Sequence, residues 1–345
     1  MSSVTETATE AVGPAAAAPR LPSARGEVSE AVRAHLRGDG PVLPDAAVTG
    51  RLDPYGDDLH LALHLCYELH YRGFAGVADE REWDPALLEL RSRLETGFLT
   101  ALRDECGATD DVAEALGALL IEPVDGTGPS HFLVDHGELW QLREYAALRS
   151  VYHLKEADPH AWVIPRLRGR AKASMVAVEY DEFGCGRAER MHARLYAELM
   201  TDLGLDTTYG RYVEAAGAPT LATVNLMSLF GLHRALRGAL VGHFASVEIT
   251  SSPGSSRLAL ALERAGAGPA AVRFYEEHVE ADAVHEQLVR REVVDGLLEE
   301  EPHLAADVAF GIQATGLLED RLGDTLVGAW SRGETALRRP LDACE

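Results

Sequence analysis

Apolar residues recur at three- and four-residue intervals along most of the chain, a spacing that gathers them on one face of a helix. In 57–74, Leu59, Leu61, Leu63, Leu65 and Leu69 alternate in part, but the run is too long for a strand and ends at Gly73, so it reads as helix. In 83–106, Leu87, Leu88, Leu90, Leu94, Phe98, Leu99 and Leu102 recur at three- and four-residue spacing and mark an amphipathic helix of about six turns. Helical patterns follow over 112–121, 138–155, 167–182, 189–203, 220–250, 256–265, 269–298 and 304–331. Asp158-Pro159, Pro165 and the Gly184/Gly186 pair punctuate them. The segment at 250–256, Thr-Ser-Ser-Pro-Gly-Ser-Ser, carries a turn signal between two helical patterns. Strand signals are few, and the expected fold class is all-α.

Length and composition narrow this further. A chain of 345 residues, 46% hydrophobic, can bury one large core. The expected organisation is a disordered lead-in over 1–27, rich in Ala, Pro, Ser and Thr without an apolar stretch of signal-peptide type, then a helical portion over 28–135 and a core bundle over 136–345. No period of 20–50 residues signals a repeat protein. The 55 acidic residues outnumber the 32 basic ones, for a net charge of −23, and no basic stripe is present to bind nucleic acid. The most apolar stretch, 220–244, is interrupted by His233, Arg234, Arg237 and His243 and reads as buried helix rather than membrane span. Cys66, Cys106, Cys185 and Cys344 form no C-x-x-C pair, which fits a reducing cytoplasm.

Some carboxylates nevertheless stand where a helix would align them with imidazoles. His278, Asp282 and His285 sit at i, i+4 and i+7, within about 40° of one another around a helix. The segment from Phe274 to His285 contains no Lys or Arg to offset its acids, as a solvated face would. Glu189 and His192 form a Glu-x-x-His pair with Glu182 one heptad earlier, and Asp282-x-x-His285 is its acidic counterpart. Two acid-x-x-His pairs with further carboxylates are the donor inventory of a two-iron site in a helical bundle. A carboxylate from an earlier helix should complete it, either Glu156, poorly placed against the negative end of a helix dipole, or Glu68, whose alternative is an ion pair with Arg72. Glu248, Tyr152, Tyr180 and Tyr275 are candidates to orient the ligands, and Cys185 reads as buried packing in a glycine-flanked turn rather than as a redox group.

These residues resemble the haem-oxygenase-like diiron oxidases and oxygenases, the iron-containing redox enzymes. The resemblance rests on Tyr152 to His160 (YHLKEADPH), on Tyr180 to Gly184 (YDEFG) with Glu189 and His192, and on His278-x-x-x-Asp282-x-x-His285. It implies a haem-oxygenase-like helical bundle that holds iron rather than haem, with Glu156, Glu182, His192, His278, Asp282 and His285 as ligands and Glu189 as an additional carboxylate. It further implies two Fe(II) ions and O2 as co-substrate, acting on a small amine or amino acid, with N-oxygenation to a hydroxylamine or nitro product as the leading expectation for a role such as antibiotic biosynthesis. Desaturation or C–C cleavage of an amino or fatty acid is the alternative within the family. A non-catalytic metal-storing bundle, or a haem-degrading enzyme using His64 or His70, are the alternatives outside it. An electron donor and a homodimer are compatible with this reading.

Overall fold

The structure, a computed structural model, describes residues 18–40, 42–122 and 126–343; the side chains of Glu280, Asp282 and Ala283 lie outside what it describes. Among the described residues there are helices and connecting segments and no strand, so the all-α class holds. The helices of eight residues or more are α1 (Glu27–Arg37), α2 (Asp57–Glu68), α3 (Pro85–Cys106), α4 (Val112–Leu119), α5 (Pro129–His136), α6 (Leu139–His153), α7 (Gly169–Glu182), α8 (His192–Asp202), α9 (Ala218–Leu232), α10 (Arg237–Arg264), α11 (Pro269–Leu288) and α12 (Ala305–Trp330).

One contiguous core runs from Val28 through Trp330. Its centre is α10, which packs along both α11 and α12, while α8 lies on α11 and α9 joins α12 to α2. Of the apolar residues that the spacing marks in α3, Leu87, Leu90, Leu94, Phe98 and Leu102 are buried, while Leu88 and Leu99 are only half-buried at its edge. Asp84 caps that helix by accepting the Ala86 N–H, and Pro85 at its first position lacks only a donor that would go unused there.

Expectations change at four places. The lead-in over 1–17 lies outside the described residues, but 18–26 is an ordered approach to α1. Arg25 donates to Asp57 at 3.0 Å and to the Val213 carbonyl at 2.7 Å, and the Ala75 N–H donates to the Pro19 carbonyl at 2.8 Å. The turn expected at 250–256 is absent, because α10 continues through it with Pro253 inside. A proline removes one hydrogen bond from a helix, and packing on two neighbours offsets that loss. Conversely, the single helix expected over 220–250 breaks at His233, whose backbone is extended, before a short 3-10 turn at Arg234–Leu236. The helix expected over 269–298 is continuous but passes through a π-helical turn at Val289–Val294 before resuming at Asp295–Glu300. That turn buries Val289, Val293 and Val294 and packs against α7, immediately after His285.

The close crossing of α10 and α12 depends on two glycines. A Cβ at Gly242 would overlap the Val308 carbonyl, and one at Gly311 the Ala239 carbonyl. Gly311→Val is therefore expected to destabilise the fold by at least the usual overpacking cost of about 1–3 kcal/mol, since backbone rather than a movable side chain must yield. Equilibrium urea unfolding against wild type measures this.

Candidate metal centre

Glu156 does not lie in a helix. It occupies the turn after α6, and the next residue, Ala157, is a non-glycine residue with φ 74°. Such a backbone persists only where its surroundings hold it. From one side, Arg72 in the turn that follows α2 donates to the Leu154 carbonyl at 2.9 Å, and Lys155 is buried with its ammonium 2.9 Å from Glu68 Oε2 at the end of α2. Tyr209 donates to Glu68 Oε1 at 2.7 Å, so both Glu68 oxygens are used and Glu68 is the counter-ion of Lys155. Arg72, expected as its partner, stacks on Tyr209 instead.

From the other side runs a buried polar chain whose direction its ends dictate. Thr315 donates to the Gly311 carbonyl at 2.7 Å and so accepts from His243 Nδ1 at 2.8 Å; His243 Nε2 then accepts from His160 Nε2 at 3.1 Å, leaving His160 Nδ1 to accept from the Tyr152 hydroxyl at 3.5 Å. Burial lowers the His243 imidazolium to about 4 and depresses His160 well below its usual value, which keeps both rings neutral as this chain requires.

The structure brings the candidates into two buried groups, Glu156 with His192 and His278, and Glu182 with Glu248 and His285; within each group one donor atom per residue lies within 4.8 Å of the others. In the first, Glu156 Oε1 accepts from His153 Nδ1 at 2.8 Å and lies 3.7 Å from His278 Nε2. Burial would raise the Glu156 carboxyl, but His153 and His278 outweigh it and hold it well below the usual range. His153 is thus the hydrogen-bond donor that a carboxylate beyond a helix C-terminus calls for. Glu156 Oε2 is buried without a hydrogen-bond partner. The Phe274 carbonyl, which can only accept, lies 2.7 Å from His278 Nδ1 and places the proton there, so that Nε2 is the nitrogen that could coordinate a metal.

In the second group His285 Nδ1 lies 3.1 Å from Glu248 Oε2 and 3.7 Å from Glu182 Oε1, while its Nε2 faces Asp181 Oδ2 at 3.3 Å. Burial pulls its imidazolium down, yet Glu248, Glu182 and Asp181 together raise it to about 9. Glu182 joins the two groups, for its other oxygen, Oε2, lies 2.9 Å from His192 Nδ1 in an orientation that makes no hydrogen bond. Burial opposes the charged form of His192 but Glu182 prevails and raises it.

Of the seven residues expected as ligands, Glu156, Glu182, His192, His278 and His285 converge. Asp282 lies on α11, but its side chain is outside the described residues. Glu189 is exposed on a 3-10 turn apart from both groups. Its helical spacing to His192 fails because Met191 between them is extended, with ψ 135°, and α8 begins only at His192. Glu248, expected to orient ligands, is itself a member of the second group, and its signal was a lone acid in an apolar helix. Tyr152 and Tyr275 are buried near the site, but Tyr180 is exposed. Cys185 is also exposed, in a left-handed conformation, and donates to Asp181 at 3.1 Å, so it is not core packing. His70 has both ring nitrogens engaged, with Glu82 and Arg91.

Mixed imidazole nitrogen and carboxylate oxygen suits iron in its ferrous state, and the orphaned Glu156 Oε2 is an oxygen such an ion would satisfy. Residues 143–320, just over half of the chain, match the family described as iron-containing redox enzyme. The chain belongs to that family. Its haem-oxygenase-like helical architecture is the one the sequence led us to expect. Comparison with curated proteins gives no match. As an iron-containing redox enzyme it is expected to carry its metal on these two groups, which span α7, α8, α10, α11 and the turn after α6.

Two outcomes test this assignment. Because Glu182 touches both groups and Glu248 one, Glu182→Gln should weaken binding of two ions and Glu248→Gln of one, read by calorimetric titration of the metal-free protein with Co(II). Because His285 is protonated below about 9, a metal must displace its proton, and affinity at that group should rise about tenfold per pH unit from pH 6.5 toward 9.

Proposed function

We propose that the protein uses two ferrous ions and O2 to oxidise a small amine or amino acid, with N-oxygenation as the leading reaction. The observation that carries this reading is a cavity of about 400 Å³ lined by Glu156, Glu182, Glu248 and His278, so that the candidate donors face a space sized for a small molecule. A storage bundle has no need of such a chamber beside its metal.

When bound, ferrous iron supplies electrons to O2 and acts as a Lewis acid for it. The protein contributes placement and exclusion. Phe244, Phe274 and Tyr275 form apolar walls that keep water from the reacting atoms. Arg149 and Glu319 also line the chamber, joined by two hydrogen bonds of 2.9 and 2.6 Å, and Asp320 stands beside them. Burial and the nearby Asp324 and Glu319 raise the Asp320 carboxyl, an environment that a substrate ammonium group would relieve. Converting an amine to a hydroxylamine inserts one oxygen atom of O2 and reduces the other to water with two electrons and two protons, so an electron donor belongs to the reading. Desaturation or C–C cleavage of an amino or fatty acid would use the same placement and leave different products.

Anaerobic loading with Fe(II), then exposure to O2 in the presence of a panel of amines, amino acids and fatty acids, tests this. Substrate-dependent O2 consumption with a hydroxylamine or nitro product is expected, and it should be abolished in His278→Ala. Asp320→Asn should raise KM by about two- to fivefold, as for a partly exposed ion pair. Iron that binds without any substrate-dependent O2 consumption would instead favour storage.

A further inference from the structure

Seven glutamates are buried among the described residues, and six of them have a polar partner. Glu68 is met by Lys155, Glu95 by Tyr67 and His233, Glu144 by Trp330, Glu156 by His153, Glu182 by His192 and Glu248 by His285. Glu179 is the exception. It is 2% exposed, and neither carboxylate oxygen has a hydrogen-bond partner. Such a group is costly to bury and calls for an explanation in the form of an ion or a ligand.

Its position supplies one. Glu179 stands three residues before Glu182 on α7, which puts both carboxylates on one helix face a turn apart. After burial itself, the groups that act on it are Glu182, Glu248 and Asp158, all acids, and together they raise its carboxyl well above the usual range. No cation of the protein is among them. A fully buried acid with both oxygens unpartnered, one helical turn before Glu182 of the second group, has the character of a metal donor without its ion.

We propose that Glu179 is a further metal-ligating residue, completing the donor set of Glu182, Glu248 and His285. The inference rests on the metal-centre reading above.

The test is Co(II) titration of the full-length protein, wild type and Glu179→Gln, by calorimetry and visible absorption, with melting of both proteins with and without metal. Glu179→Gln copies the neutral acid in shape, so the metal-free variant should melt at or above the wild-type temperature. Binding of one of two ions should weaken by about tenfold or more, with loss of that ion's absorption band and of its stabilisation. If Glu179→Gln binds both ions as wild type does, the carboxyl is neutral packing and the proposal is overturned while the metal centre stands. If wild type takes up no Co(II), the metal centre falls and the proposal with it. Should Glu179→Gln fail to fold, Glu179→Asp keeps the acid but withdraws it by one methylene; weaker binding of one ion supports the proposal, and unchanged binding overturns it.

Discussion

The arrangement hinges on burying carboxylates from separate segments against a small number of imidazoles. Glu156, Glu182 and Glu248 are each at most 8% exposed, and the groups within reach of them are mainly histidines, not Lys or Arg. The carboxylates beside them raise the His192 and His285 imidazoles despite their burial. A metal bound at these groups would offset the same charge, with Glu182 as the carboxylate common to both. Its uptake at His285 would compete with a proton.

Holding those donors requires support from outside the site. Glu156 follows α6 on an irregular turn, so its direction is not set by a helix but by Arg72 and the buried Lys155–Glu68 pair on one side and the chain from Tyr152 to Thr315 on the other. The first of these devices comes from α2, which the sequence assigns to a region outside the metal-binding core. A buried pair of this kind contributes little net stability but is costly to break on one side, so it serves to specify one conformation. The π-helical turn after His285 has a comparable role at the far end of α11, where its three valines pack against the helix that carries Glu182.

Apolar spacing made the helices legible because each buries one face, and periodicity survives whatever the face packs against. His278 and His285 were legible for the same reason: helical geometry alone aligns residues at i and i+7, and the absence of Lys and Arg between them marks the row as more than a solvated face. Glu156 could be singled out by its misfit with the helix dipole. Short-range signals misled where tertiary packing outweighed them. Pro253 and its serines read as a turn, yet α10 runs through them between two partners, and the Glu189-to-His192 spacing read as helical, yet an extended Met191 divides it.

The sequence by itself thus determined the helical class, the core faces and the chemical types of donor, since these follow from local periodicity and residue chemistry. Tertiary structure decided which carboxylates meet which imidazoles. It drew Glu248 from α10 into the site, turned Glu189 to solvent, assigned Glu68 to Lys155 and left Glu179 buried without a partner. Those outcomes depend on how helices distant in sequence cross, as at the Gly242 and Gly311 contact, and no spacing along one chain segment encodes the angle or depth of such a crossing.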